Sequence, residues 1–382
     1  MAFSFTFPDN LIMGEGALEQ SKAPMKKLGK KALIITGKIV ARTASVQQLV
    51  RLLSAWGIDS ILFDEITGEP TDLMINASVR CYQENACDFC IGIGGGSPLD
   101  SAKATVAAAA LGGNICDYAG TEIDGTFPPL VLIPTTAGTG SEATKFTVIT
   151  DTKNNVKLLL KGNALLPTLA VVDPSFTLTA PPSITAATGM DALTHAVEAY
   201  TSRKADPLTD VYALSAIEKI FTYLPVAYHD GSNAEAREAL ALASFEAGVC
   251  INNSSVTVVH GMSRPIGALF HVPHGISNAM LIEECLLYVL DGCYGRFADI
   301  ARAIGASTLL TDEEAAASFI RALGQLCRSC EIPTLKEYGI DEEAFFSAMD
   351  KMAEDALASG SPGNTVKELN KGDLIAIYKK LW

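Results

Sequence analysis

Three of the chain's five histidines fall within fifteen positions, in Val259-His260-Gly261-Met262-Ser263-Arg264-Pro265-Ile266-Gly267-Ala268-Leu269-Phe270-His271-Val272-Pro273-His274-Gly275. Glycine and proline stand between them, residues suited to turning the backbone so that imidazoles converge. A fourth histidine lies in Gly189-Met190-Asp191-Ala192-Leu193-Thr194-His195, where a helix would carry Asp191 and His195 on one face, one turn apart. Imidazoles with a carboxylate and no cysteine form a donor set for a divalent ion that accepts nitrogen and oxygen, such as iron or zinc. Each feature also has a plainer reading: a lone histidine is often a core residue, and an acid near a helix start is often a cap. The fifth histidine, His229, lies apart and reads as a helix-end or surface residue.

Two loops suit a nucleotide. Gly92-Ile93-Gly94-Gly95-Gly96-Ser97-Pro98-Leu99-Asp100-Ser101-Ala102-Lys103 reads as a strand end passing through glycines into a helix, where backbone N–H groups and the helix dipole would receive a pyrophosphate. It is not G-x-G-x-x-G, since Ser97 stands where the last glycine would be, and it lacks the G-K-[ST] ending. Farther on, Pro134-Thr135-Thr136-Ala137-Gly138-Thr139-Gly140-Ser141-Glu142-Ala143-Thr144 places five hydroxyls and two glycines in ten residues after an apolar run, a composition that suits ribose and phosphate oxygens. Either loop alone could be no more than a tight turn or a cap.

The elements that would position these residues change character along the chain. Up to about residue 180, short apolar runs alternate with helical stretches: 32–37, 60–64, 89–94, 129–134 and 169–173 as strands, 46–56, 72–85 and a helix from near Leu99 between them. That rhythm predicts a parallel sheet covered on both faces. Phe3, Phe5 and Phe7 alternate with polar residues, which predicts a strand with Leu11-Ile12-Met13-Gly14 as its hairpin partner. Beyond Ala180 the apolar spacing is helical nearly to the end. We therefore expect an α/β dinucleotide-binding domain, 1–182, and an all-α metal-binding domain, 183–382, with a ligand crevice between them.

Composition narrows the functional classes. The 382 residues are 48% hydrophobic and 19% charged, which describes ordered globular structure. A net charge of −14, from 29 basic and 43 acidic side chains, disfavours nucleic acid and anionic membrane surfaces as partners. Met1 to Asp9 shows neither a basic nor a long apolar stretch of a secretory leader, so a cytoplasmic protein is expected. Nine cysteines, including Cys87 with Cys90 and Cys327 with Cys330, then read as reduced thiols packed as small hydrophobes.

In this order and spacing, the Gly94–Lys103 turn, the Pro134–Glu142 loop, the Gly189–His195 segment and the His260–His274 segment closely resemble the iron-dependent (group III) alcohol dehydrogenases. The resemblance covers nearly the whole chain. It implies an oxidoreductase that uses Fe2+, with Zn2+ as a substitute, and NAD or NADP to interconvert a small alcohol and its aldehyde. The metal ligands it implies are Asp191, His195, His260 and His274, with the ion polarising the substrate oxygen. His271 would lie outside them and relay the alcohol proton. Coenzyme contacts carry over to Gly95, Gly96, Ser97, Asp100, Thr135, Thr136, Thr144 and Lys157. Two positions depart from the family pattern. Gly37, followed by Lys38, stands where many NAD-preferring members carry an aspartate, which predicts tolerance of NADP; Arg264 stands where some carry a further histidine, which favours an acid-tailed substrate. A homodimer or larger assembly is also implied, and Phe3–Phe7 offers an edge for it. The alternatives are a dehydroquinate synthase-like lyase, which would need more basic residues around a phosphorylated substrate, and a non-catalytic metalloprotein.

Overall fold

The computed structural model describes residues 3–154, 156–308 and 311–382. They form two compact units: one is Phe5–Thr179, and the other is Ala180–Trp382 joined by Phe3 and Ser4.

In the first unit the chain runs β1 (Leu11–Met13), α1 (Ala17–Gln20), α2 (Lys22–Leu28), β2 (Lys31–Ile35), α3 (Ala44–Ala55), β3 (Asp59–Phe63), α4 (Asp72–Glu84), β4 (Phe89–Gly94), α5 (Gly96–Leu111), β5 (Leu130–Pro134), β6 (Phe146–Asp151), β7 (Val156–Lys161) and β8 (Leu169–Val172). Six strands make one parallel sheet in the order β1-β8-β5-β4-β2-β3. Parallel neighbours need long crossovers, and α3, α4 and α5 supply them. Because successive side chains point to opposite faces, Ile34, Ile91 and Val131 pack with Val46, Leu49 and Leu53 of α3, while Leu33, Cys90 and Leu132 pack with Leu99 and Ala102 of α5. Burial on both faces explains why these strands read as continuous apolar runs rather than as alternation.

The expected hairpin at the start is absent. Phe3–Phe7 forms no strand, and Leu11–Met13 pairs in parallel with β8, Leu11 opposite Ala170. Asp9 N–H donates to the Pro167 carbonyl (3.3 Å) and Asn10 Nδ2 to the Thr168 carbonyl (3.1 Å), which steers the chain onto β8 before it can turn back. The antiparallel pair β6–β7 was not anticipated; it forms a separate two-stranded sheet with Ile149 and Leu160 over Ala104 and Ala107 of α5.

The second unit is helical: α6 (Pro182–Tyr200), α7 (Pro207–His229), α8 (Ala234–Asn253), α9 (Val258–Phe270), α10 (His274–Val289), α11 (Tyr294–Ala303), α12 (Asp312–Ser329), α13 (Leu335–Tyr338), α14 (Glu342–Ala358) and α15 (Lys371–Lys380). From Met190 to Tyr200, α6 is buried on every side, as a helix wrapped by α7, α8 and α10 must be. The glycines and proline of 260–274 do not turn the chain where expected. Helix α9 runs through Gly261, Pro265 and Gly267, and the turn comes only at His271, which is left-handed (φ 55°), ahead of Pro273. Among the described residues no helix is long and apolar enough to cross a membrane.

Candidate functional site

Helix α6 supplies Asp191 and His195, α9 supplies His260 near its start, and α10 opens with His274. One donor atom from each of the four lies within 4.8 Å of the others. Asp191 Oδ1 stands 3.9 Å from His195 Nε2, 3.8 Å from His260 Nε2 and 3.6 Å from His274 Nε2. Gly275 makes this convergence possible: a Cβ there would lie 2.5 Å from the Ala187 carbonyl, so only glycine lets α10 start so close to α6. Asp191, His195 and His260 are 2%, 5% and 3% exposed, whereas the His274 side chain is 44% exposed and leaves the cluster open on its side.

Two residues that the sequence reading passed over organise the cluster. The buried Glu198 carboxylate accepts from Thr257 Oγ1 (2.7 Å) and Val259 N–H (2.6 Å) through Oε1 and pairs with His260 Nδ1 (2.6 Å) through Oε2. With its proton on Nδ1, His260 turns an Nε2 lone pair toward the cluster. Asn278 Nδ2 lies 2.8 Å from Asp191 Oδ1, 3.1 Å from His260 Nε2 and 3.2 Å from His274 Nε2. The available signal was periodicity: Glu198 follows His195 by three and Asn278 follows His274 by four, each on its partner's helix face.

The electrostatics favour the ligating forms. Burial would raise Asp191, yet the imidazoles of His195, His274 and His260, with the Asn278 amide, hold it below the ordinary carboxylate value. Burial, then the neighbouring His195 and His274, pushes His260 well below the usual imidazole value, so it is neutral near pH 7. Four donors about 2.1 Å from a tetrahedral ion stand roughly 3.4 Å apart. The carboxylate-to-imidazole distances of 3.6 to 3.9 Å are within a few tenths of an ångström of this, and all four donor atoms lie within 4.8 Å of one another, so the donor set suits a divalent ion after a modest contraction. Arg264, one turn after His260, is half-buried and donates from Nη1 to Ser361 Oγ (3.1 Å). Among the described residues it makes no ion pair within 4.0 Å, although the charge of the buried Glu198 carboxylate acts on it. His271 is exposed at the end of α9 and lies outside the four-residue cluster.

A second group, Asp72, Cys116 and Asp151, also comes together, but its carboxylates already accept backbone N–H groups: Thr152 on Asp72, and Lys153 and Asn154 on Asp151. All nine cysteines are free thiols.

In the first unit both candidate nucleotide loops lie at the carboxyl ends of adjacent strands. β4 and β5 end side by side, Gly94 opposite Pro134, and Thr135 N–H donates to the Gly94 carbonyl (2.9 Å). Gly94 has φ 147° and a Cβ there would meet Pro98 Cγ at 2.7 Å; at Gly96 it would meet Thr139 Cγ2 at 3.0 Å. Gly94 is demanded by the turn into α5 itself, whereas Gly96 admits the close approach of the second loop through Thr139, and Thr136 lies beside Gly95. Gly95 stands at the N-cap of α5 and, among the described residues, no side chain caps the helix there. On the other flank of β4, β2 leads into Thr36-Gly37-Lys38, with Thr36 Oγ1 donating to the Ile93 carbonyl (2.7 Å). The sheet order reverses between β2 and β4, the place where an open α/β sheet binds its ligand.

Other expected coenzyme residues are occupied. Asp100 accepts from Ser141 Oγ (2.7 Å) and Val148 N–H (2.9 Å). Thr144 is buried, its Oγ1 3.0 Å from Lys103 Nζ, and Lys157 reaches Glu69 at 2.6 Å from β7. Two buried charges here were not anticipated. Lys103 is fully buried, and burial lowers its pKa to about 8; Glu142 is 1% exposed, and burial raises it to about 7, with Oε2 unpartnered among the described residues.

Comparison with known proteins covers both units. The family model described as iron-containing alcohol dehydrogenase matches residues 8–174, and that of the Fe-containing alcohol dehydrogenase family, C-terminal, matches 185–382. The chain is 37% identical over 384 residues to 1,3-propanediol dehydrogenase of Citrobacter freundii, covering 99% of this chain and 98% of that one. It is 36% identical over 363 residues to the NAD-dependent methanol dehydrogenase of Bacillus methanolicus, covering 94% and 95%. A crystal structure of 1,3-propanediol oxidoreductase superposes with a TM-score of 0.97 at 35% identity, covering 100% of both chains.

Proposed function

The chain belongs to the iron-containing alcohol dehydrogenase family, and from that premise we propose that it is an Fe2+-dependent, NAD(P)-linked oxidoreductase interconverting a small primary alcohol and its aldehyde. The observation that carries this reading is the convergence of one carboxylate and three imidazoles within 4.8 Å. A divalent ion held there supplies Lewis acidity toward a substrate oxygen, and a nicotinamide coenzyme supplies or accepts the hydride. The chain's own part is to keep His260 neutral with its proton on Nδ1 facing Glu198, and to leave the His274 side open for entry. Gly95, Gly96, Ser97, Thr135 and Thr136, at the end of β4 and β5, would hold the coenzyme phosphates.

The test is oxidation of NADH and NADPH by iron-loaded protein over a panel of short aldehydes, neutral and acid-tailed, beside a metal-stripped control. Ion-dependent turnover supports the proposal; a folded, ion-loaded protein inert toward every aldehyde overturns it. Both coenzymes should serve at comparable kcat/KM. Gly37 carries no acid to repel a 2′-phosphate, a Cβ there would lie 2.9 Å from the Ile66 carbonyl, and the next residue is the exposed Lys38. Strict NAD preference would contradict this.

The guanidinium beside His260, which makes no direct ion pair among the described residues, favours an anionic tail on the substrate. Arg264→Leu should lower kcat/KM for acid-tailed aldehydes by about 10- to 100-fold while leaving neutral ones nearly unchanged, the worth of one charge-assisted hydrogen bond. Equal losses for both kinds would remove the specificity role. We also assign the exposed His271 as the proton relay to solvent, so His271→Ala should slow alcohol oxidation by about tenfold or more and flatten one limb of its pH profile. An unchanged rate and profile would rule this out. Self-association through the outer edge of β1, which is the terminal strand of its sheet, completes the proposal; light scattering at the monomer mass would contradict it.

A further inference from the structure

We propose that Lys103 is a positioning residue for the coenzyme, fastening the loop 141–148 to α5 without touching the ligand. The inference rests on the coenzyme reading above. A fully buried lysine is expensive to desolvate, and apart from Asp100 the rest of α5 is alanine and other small or apolar residues, so packing alone gives no reason for one here. Its ammonium finds four oxygens: the carbonyls of Ser141 (2.6 Å), Thr144 (2.8 Å) and Phe146 (2.8 Å), and Thr144 Oγ1 (3.0 Å). Without Lys103 these buried acceptors would lose their cationic donor.

Asp100, three residues earlier on α5, holds the other side of the same loop. Its carboxylate accepts from Ser141 Oγ and Val148 N–H, and its backbone carbonyl accepts from Thr147 Oγ1 (2.9 Å). A cation thus gathers the loop's acceptors while an anion gathers its donors. Because α5 begins at Gly96, directly after the glycine turn, the fastening carries through Gly140 to Thr139, which packs on Gly96. A loop released from α5 would leave the two halves of the phosphate cradle free to separate.

Three measurements on Lys103→Met beside the unmodified holoenzyme test this. The Kd for NADH, from its fluorescence, should rise about 10- to 100-fold, as misplacement of binding groups by an ångström would cost. Turnover at saturating NADH should stay within about threefold, placing the loss in KM rather than kcat. Amide exchange should quicken across 141–148 while bound iron is unchanged. Lys103→Gln, which keeps a donor at the site, should fall between the two in both Kd and exchange, and it carries the same comparison should the methionine variant not fold. If the unmodified protein binds neither NADH nor NADPH, the coenzyme reading itself fails. If it binds, and the variants match it in Kd and in exchange across 141–148, only the fastening role is overturned.

Discussion

Asp191→Ala is expected to yield a folded protein that retains no stoichiometric iron and shows no ion-dependent aldehyde reduction. Asp191 is the one carboxylate of the cluster, and its Oδ1 faces all three imidazoles at 3.6 to 3.9 Å. Without it only three imidazoles remain, and a divalent ion would enter a largely buried site with no compensating negative charge among its ligands. The loss of affinity should therefore exceed the roughly 10- to 100-fold that removing an outer-shell partner costs. The ion-free protein should also lose some stability, because the imidazoles and the Asn278 amide outweigh the cost of burying this carboxylate, and the variant loses those interactions. The sharpest readout is thermal: added Fe2+ should raise the Tm of the unmodified protein, since an ion that binds only the folded state stabilises it, and that rise should vanish in the variant. A variant that keeps bound iron and the Tm rise would show that the ion is held elsewhere.

Glu198→Gln is expected to have the second-largest effect although the residue makes no contact with a bound ion. The carboxylate now satisfies three donors, Thr257 Oγ1 and Val259 N–H on one oxygen and His260 Nδ1–H on the other. A carboxamide has one oxygen. If it faces Thr257 and Val259, its NH2 faces His260 Nδ1, and the ring must move its proton to Nε2, the atom that should face the ion. If it faces His260 instead, the NH2 opposes two buried donors. Either arrangement weakens ion binding, by about 10- to 100-fold, with turnover per bound ion reduced less than ion affinity. Competition against a chelator measures the affinity, and the nitrogen-15 shifts of His260 in the ion-free variant report which nitrogen carries the proton. Unchanged affinity, with the proton still on Nδ1, would contradict the role. Glu198 is itself held above the usual carboxylate range by burial, against the pull of its donors, so removal of those donors would leave it neutral more readily still.

Much of this was legible in the primary structure because it is local. Strand runs buried on both faces read as unbroken apolar stretches, helices repeat every 3.6 residues, and a glycine-rich turn needs its glycines wherever a Cβ would collide, as at Gly94 and Gly96. The i, i+4 spacing of Asp191 and His195 is likewise a property of one helix. The alternating Phe3–Phe7 misled for the same reason. Alternation describes a strand's faces and says nothing about its partner, and the backbone bonds of Asp9 and Asn10 drew the following segment to β8 instead.

The order of residues alone fixes the order and kind of the elements, the glycine- and hydroxyl-rich make-up of the two loops and the inventory of donors. The tertiary structure alone decided which donors meet. It brought His260 and His274 to Asp191, turned Glu198 onto His260, set Lys103 and Asp100 on either side of one loop, engaged Lys157 with Glu69, and joined Arg264 to Ser361. Periodicity sets which face of an element is buried, whereas the partner across that face is chosen by packing of groups distant in the chain, and charges are admitted to that interior only where the packing completes their hydrogen bonds.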